Sequence, residues 1–399
     1  MSLITNRYTG LFRSIGAIPP RAHDPDVAVW AGIPANRPWP AADAVGGAGW
    51  TADAAERACI GEAIERWQTH PLPLDTLVRS SYAGWSRPDH EPAIDPRRFV
   101  RFHPDQHAHA GFPYEPLAAD TELDWIACRM LGDGAPCWVP ADLVFLDWRP
   151  GMRPRFGPMI STGWSAHATV QAALEGAILE AIERDALVGA WWGRYPLVEL
   201  DDTQARALLQ TGDRWSRIAR PNLRWRWYRV ITPRAAHVTI ATLQGEDREG
   251  LVFSIGSACR LDAPASLAKA ALEAVQGRHY VRHLMTTTAD GPEPTSFAEH
   301  AVYYTRHPAR LAETCLASAT RERAVPSADD LRALVARLPP IAFRIATPPA
   351  LVDHGYVVVR VIVPELQPLH GDHRLPFLGG PLWDRPIADW LAIPPHPFA

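Results

Sequence analysis

Glu62-Ala63-Ile64-Glu65-Arg66 and Glu180-Ala181-Ile182-Glu183-Arg184 are the same five residues met twice in one chain. Glutamates three apart on an α-helix lie on one face, one turn above the other, so each copy points two carboxylates the same way. Helical context surrounds both copies. After Thr51, a residue able to cap, Ala55, Ala58, Cys59, Ala63 and Trp67 recur at the spacing of one buried stripe. Val170, Leu174, Ala177, Ile178, Ala181 and Ile182 line the apolar side of a second helix, predicted from about Thr169 to Trp191. Two such helices facing each other gather four carboxylates, a set suited to magnesium bridging a nucleotide's phosphates. A plainer reading stands beside this one. Glu followed four residues later by Arg is the favoured orientation of a surface ion pair, contributing about 0.2–0.5 kcal/mol. A di-iron carboxylate bundle is excluded, because it wants Glu-x-x-His and position i+3 is Glu both times.

Working outward, a third helix is predicted over about Ala265 to His283 and strands over 224–257. Tyr356 to Val363 is a continuous apolar run interrupted only by Arg360, the pattern of a buried strand. Residues 1–50 suggest strands and loops with a turn at Gly46-Gly47-Ala48-Gly49, and 70–160 short strands and turns, one strand running from Trp138 to Phe145. The end, Pro394-Pro395-His396-Pro397-Phe398-Ala399, can be neither helix nor central strand. The expected class is mixed α/β (α+β), with no linker that cleanly separates two domains.

Composition narrows the function. The 399 residues are 47% hydrophobic, enough for a sizeable core, and no run of eighteen uncharged apolar residues spans a membrane. The N-terminus lacks the apolar stretch of a secretory signal. Five scattered cysteines without a Cys-x-x-Cys predict reduced thiols in a cytoplasmic protein, and no structural zinc is expected. The net charge of −4 gives no reason to expect nucleic acid. Lys269 is the only lysine, in a helical context, so neither a P-loop nor a kinase strand lysine exists. No Gly-x-Gly-x-x-Gly follows a strand. A nucleotide here would be held by arginine, metal or backbone groups.

Five blocks together resemble one family. Cys59 to Trp67 looks like the first acidic helix of the YcaO family, and Ser161-Thr162-Gly163-Trp164-Ser165-Ala166 leading into Leu179 to Ala186 looks like the second. Ser257 to Asp262 followed by Ala270 to Arg278 resembles the third, Val358 to His370 the late strand, and the Pro-rich end the tail. The resemblance implies a YcaO-type fold with ferredoxin-like βαββαβ elements and long acidic helices: a single catalytic domain over 1–385 and a tail over 386–399 reaching the active site. It implies ATP bound without a P-loop and Mg2+ held by Glu62, Glu65, Glu180 and Glu183. Arg184 is expected on phosphate and Ser165 near the nucleotide, with Arg13, Gln276 and Arg278 as further contacts. The terminal carboxylate of Ala399 is expected to assist proton transfer.

The reaction so implied is ATP-dependent activation of a backbone amide in a ribosomally made precursor peptide. A Cys, Ser or Thr side chain attacks the preceding carbonyl, ATP phosphorylates the oxyanion, and phosphate leaves as an azoline forms. Relatives deliver sulfide or a backbone amine instead, giving a thioamide or an amidine. A non-catalytic scaffold in a peptide-maturation complex is the reading from another class. Expected partners are the precursor peptide, a separate leader-binding protein, since no leader-binding domain is evident, and a second copy in a homodimer. The sequence departs from the family where Gly-Lys-Gly reads Gly47-Ala48-Gly49, where Gly-Asn reads His167-Ala168, and where an acidic residue reads Ala172.

Overall fold

The structure is a computed structural model describing residues 4–5, 10–35, 44–66, 76–86, 91–146, 155–234, 236–248, 250–321 and 330–399. Trp67, expected on the first helix, lies outside the described residues. Three antiparallel sheets carry the fold. The first is β1 (Phe12–Ala17), β2 (Ala28–Pro34) and β3 (Val45–Gly49), in that order. The second comprises β4 (Val78–Ser80), β5 (Leu123–Met130), β6 (Pro136–Pro140), β7 (Trp164–His167) and two late strands, β12 (Ala342–Ile345) and β13 (Val357–Ile362). Its path is β4-β5-β12-β13-β7, with β6 also on β5. The third runs β11-β10-β9-β8, built from β8 (Leu197–Leu200), β9 (Arg224–Val230), β10 (His237–Asp247) and β11 (Gly250–Arg260).

Helix α1 (Ala52–Arg66) lies on β3, and glycine makes that approach possible. A Cβ on Gly47 would stand 2.2 Å from the Cys59 nitrogen, and one on Gly49 2.6 Å from that of Ala55. The glycines read as a turn therefore form a strand: they mark a close strand–helix approach, which from sequence looks the same as a bend. The strand expected over Trp138–Phe145 ends early. β6 stops at Pro140, which has no N–H for a ladder, and Ala141–Val144 winds into one helical turn.

Helix α2 (Val170–Trp191) starts where the sequence predicts, with Thr169 accepting the Ala172 N–H at 3.2 Å. It is buried all round over its second half, as a helix passing between two sheets has to be. Its Ile178, Ile182 and Ala186 pack in the largest core with Val230, Val238 and Ile240 of the third sheet and Val359 and Val361 of the second. Helix α3 (Ala263–Thr287) is longer than its predicted span, with Asp262 as cap, and crosses β11 at Gly256. Helix α4 (Phe297–Arg306) follows.

The five cysteines are free. Among the described residues no helix is long and apolar enough to cross a membrane. The tail is docked: Trp191 Nε1 donates to the Pro394 carbonyl at 2.7 Å and the Tyr304 hydroxyl to that of Pro395 at 2.6 Å. Phe398 is buried edge-on against Trp191.

Candidate active site

The two acidic copies meet around β7. From α1, Glu65 Oε1 accepts the Ala166 N–H at 2.8 Å, which ties the helix to that strand. From α2, Glu180 Oε2 accepts the Gly163 N–H at 3.0 Å, just before the same strand. Glu62 accepts the Gly46 N–H at 2.8 Å, and Glu183 takes the Ser257 hydroxyl at 2.8 Å and the Cys259 N–H at 2.9 Å from β11. Each glutamate is thus oriented by at least one backbone N–H from a different strand or turn.

Their charges are under strain. Burial pushes Glu65 up to about 8; the Ala166 N–H opposes this, the carboxylates of Glu180 and Glu62 push further, and Arg66 pulls back. Burial also raises Glu180, against the pull of Arg184 and the Gly163 N–H. Glu65 Oε2 takes no hydrogen bond among the described residues. These half-buried carboxylates outnumber the arginines beside them, and a hard divalent cation with oxygen ligands supplies the missing positive charge. No three of the four glutamates bring carboxylate oxygens within 4.8 Å of one another, so the residues present fit Mg2+ through pairs of glutamates and not as one four-carboxylate cage.

The plainer reading also holds, at one copy. Arg66 pairs with Glu62 at 2.5 Å on a partly exposed face. The equivalent contact in the second copy is looser: Arg184 stands 3.8 Å from Glu180 and 4.0 Å from Glu183. Burial opposes its charge, but Glu183, Glu180 and Glu273 together raise its pKa above the ordinary arginine value. A cation shared among three carboxylates is placed for an anionic ligand as much as for any one glutamate.

The remaining predicted residues divide. Ser165 packs on α2 at Gly176, where a Cβ would stand 2.8 Å from its Oγ, one turn before Glu180. Gln276 reaches Gly46, whose added Cβ would meet its Nε2 at 2.7 Å, so it adjoins the segment that binds Glu62. Arg13 is exposed at an irregularity of the β1–β2 ladder. Arg278 faces the other way. It is buried, donates to the Gly245 and Val252 carbonyls, and lies 3.7 and 3.6 Å from Asp24 and Asp247. Ala399 is exposed beyond the docked tail. Trp191, which holds that tail, follows Glu183 by eight helical residues, about 12 Å along the axis.

Two neighbours escape the sequence reading. Glu273 faces Arg184 and pairs with Lys269 at 3.2 Å; its spacing of three before Gln276 on one helix face was the available signal. Arg360 donates to the carbonyls of Leu143, Ile160, Ser161 and Thr162, bracing the turn whose Gly163 binds Glu180. Burial lowers it to about 10 while Glu180 pulls the other way. A lone arginine in an apolar strand was the signal.

Comparison with known proteins bears on this geometry. Residues 46–367 match the model of the YcaO cyclodehydratase family, described as ATP- and Mg2+-binding. Curated protein sequences gave no match. Among solved structures, a heterocyclase in complex with substrate and cofactor superposes with a TM-score of 0.71 at 16% identity, covering 99% of this chain and 54% of the other. This chain thus spans about half the length of that relative. YcaO from Methanopyrus kandleri bound with AMPPCP and Mg2+ gives 0.57 at 19% identity, covering 89% and 86% of the two chains. A chain of the E. coli microcin synthetase McbBCD complex gives 0.58 at 14% identity, covering 88% and 87%. The chain belongs to the YcaO family, which binds ATP and Mg2+.

Proposed function

We propose that this protein activates a backbone amide of a ribosomally made precursor peptide at the expense of ATP, closing Cys, Ser or Thr residues into azolines. The observation that carries the reading is the meeting of the two acidic copies around β7, where burial first and then the Glu180 carboxylate raise the proton affinity of Glu65. In this reading Glu62, Glu65, Glu180 and Glu183 bind Mg2+, and Arg184 neutralises the phosphate that moves. Ser165 and Gln276 border the nucleotide, and Arg13 is a further contact from the first sheet. Arg278 serves by holding α3 in place through Asp24 and Asp247. ATP supplies the phosphoryl group that turns an amide oxygen into a leaving group. The chain's part is to fix positions and charge, with the Ala399 carboxylate, at the end of the tail, taking the proton from the closing ring.

A precursor peptide and a separate leader-binding protein are proposed as partners, and a homodimer as the assembly. The first two are supported by the similarity to the microcin synthetase complex, which is also known with pro-MccB17 bound. The test is mass spectrometry of peptides encoded beside this gene after incubation with the protein, ATP and Mg2+. Loss of one water per modified residue is expected. Sulfur in place of oxygen would mark a thioamide instead, and absence of ATP turnover with every candidate peptide would favour a scaffold. A leader-binding partner is expected to raise the processing rate at least about tenfold, the scale of an effective-concentration gain. Equal rates with and without it would reject that dependence.

The charge state of Glu65 gives a second test. Below about pH 8 its carboxyl carries a proton in the free protein, and a cation requires the carboxylate. Binding of Mg2+ with a non-hydrolysable ATP analogue at pH 6.5 is therefore expected to release a proton, and affinity to rise with pH and level off above about 8. Calorimetry in buffers of different ionisation enthalpy reads this release, which Glu65→Gln should remove.

A further inference from the structure

Away from the glutamates, four histidines from three distant segments meet in the interior. His300 comes from α4, His370 and His373 from the loop after β13, and His396 from the Pro-rich tail. They are 0%, 2%, 5% and 2% exposed, so none of them reaches water. One ring nitrogen from each of His300, His370 and His396 lies within 4.8 Å of the other two.

Hydrogen bonding fixes which nitrogens carry lone pairs. His300 Nδ1 meets the His396 carbonyl at 2.6 Å and His396 Nε2 the His370 carbonyl at 2.8 Å. A carbonyl oxygen only accepts, so both of those nitrogens bear protons. The partner nitrogens, His300 Nε2 and His396 Nδ1, are then bare acceptors, and neither has a hydrogen-bond partner among the described residues. Both ring nitrogens of His370 and His373 Nδ1 likewise have no hydrogen-bond partner among the described residues, and one nitrogen of the neutral His370 ring is a bare acceptor. Buried polar atoms without partners are rare, and a concentration of five in one place calls for an occupant. A backbone carbonyl on the far nitrogen is also the usual support of a metal-binding imidazole.

We propose that His300, His370 and His396 bind one divalent transition-metal ion, Zn2+, with His373 beside them to complete four-coordination. Uncharged imidazoles in a closed, dry setting suit zinc and its neighbours in the first row, and not the hard Mg2+ assigned to the glutamates. Nitrogens on a tetrahedral zinc ion are about 3.3 Å apart at Zn–N distances near 2.0–2.1 Å. Loading therefore draws the rings inward, out of the parallel stack in which His300 and His396 now lie with centroids 3.9 Å apart. The ion would join α4, the late loop and the tail at a point three residues before Ala399. The absence of Cys-x-x-Cys hides such a site from the sequence, because its ligands are 70 and 26 residues apart.

The site stands independently of the proposed function; only its service to the tail rests on that reading. The test is to strip the full-length protein with a chelator and titrate it with Zn2+, and separately with Co2+ as a spectroscopic probe. One equivalent is expected to bind wild type, with the visible bands of tetrahedral Co2+ that Zn2+ displaces. His300→Ala and His370→Ala should each weaken binding at least about a hundredfold, while Glu180→Gln binds as wild type does. Zinc should also slow trimming of the tail by a carboxypeptidase. Folded wild type that takes up no Zn2+, or equal uptake by both histidine variants, would overturn the proposal and leave a stack of imidazoles, with or without an internal water. Should the alanine variants fail to fold, nitrogen NMR of the histidines in wild type decides, since coordinated and free imidazole nitrogens resonate apart on adding Zn2+. Unchanged resonances reject the site.

Discussion

Glu180→Gln is expected to cut ATP turnover by about a thousandfold, roughly 4 kcal/mol of lost transition-state stabilisation, while the melting temperature changes little. The glutamine keeps an oxygen for the Gly163 N–H, so the local fold survives, but it removes the charge that binds the cation. Glu183→Gln should be as inactive and less stable. Its two oxygens already accept from Ser257 and Cys259, and an amide NH2 facing one of those donors costs about 1–3 kcal/mol. Arg66→Ala is the control. It breaks the ion pair with Glu62, a partly exposed contact contributing at most about 1 kcal/mol, and should leave turnover within a few-fold. If Arg66→Ala and Glu180→Gln behave alike in turnover and melting assays, the repeat is no more than two helix ion pairs.

Appending a few glycines after Ala399 should lower peptide cyclisation at least about tenfold without changing nucleotide affinity or melting temperature, since it moves only the terminal carboxylate. Deleting Pro395 to Ala399 is the blunter change. It removes Phe398 from its packing on Trp191 and the carbonyls that Tyr304 and His300 bind, so a stability loss of about 3 kcal/mol or more accompanies any loss of rate. Cyclisation at the original rate by the glycine-extended protein rules out a part for the carboxylate. Nucleotide binding measured on the same sample separates that result from damage to the fold.

How far the sequence is legible follows from where each determinant lies. Helix α2 could be read to within a residue because period, cap and end are all local: Thr169 starts it and the apolar stripe runs on to Trp191. The acidic residues were legible for the same reason, two on one face of each helix. Their partners were not. Ala166 and Gly163 offer backbone N–H groups, which carry no sequence signature, and Ser257 is 74 residues from Glu183. Gly46 to Gly49 reads as a turn and forms a strand because a glycine needed for close packing and one needed for a bend look identical in one dimension. Arg278 lay in a block that resembles the family, yet two residues along a helix from Gln276 is nearly the opposite face, and Asp24 and Asp247 claim it. The histidine cluster was invisible, since it depends on the tail folding back onto α4.

The central claim is that an amide oxygen of the substrate is the atom to which ATP transfers its phosphoryl group. It is tested most directly with a precursor peptide carrying heavy oxygen at a single modified amide. After incubation with the protein, ATP and Mg2+, the released phosphate is analysed by mass spectrometry. One heavy oxygen in phosphate for each ring formed is the predicted result. Ring formation with phosphate that remains unlabelled would contradict the account.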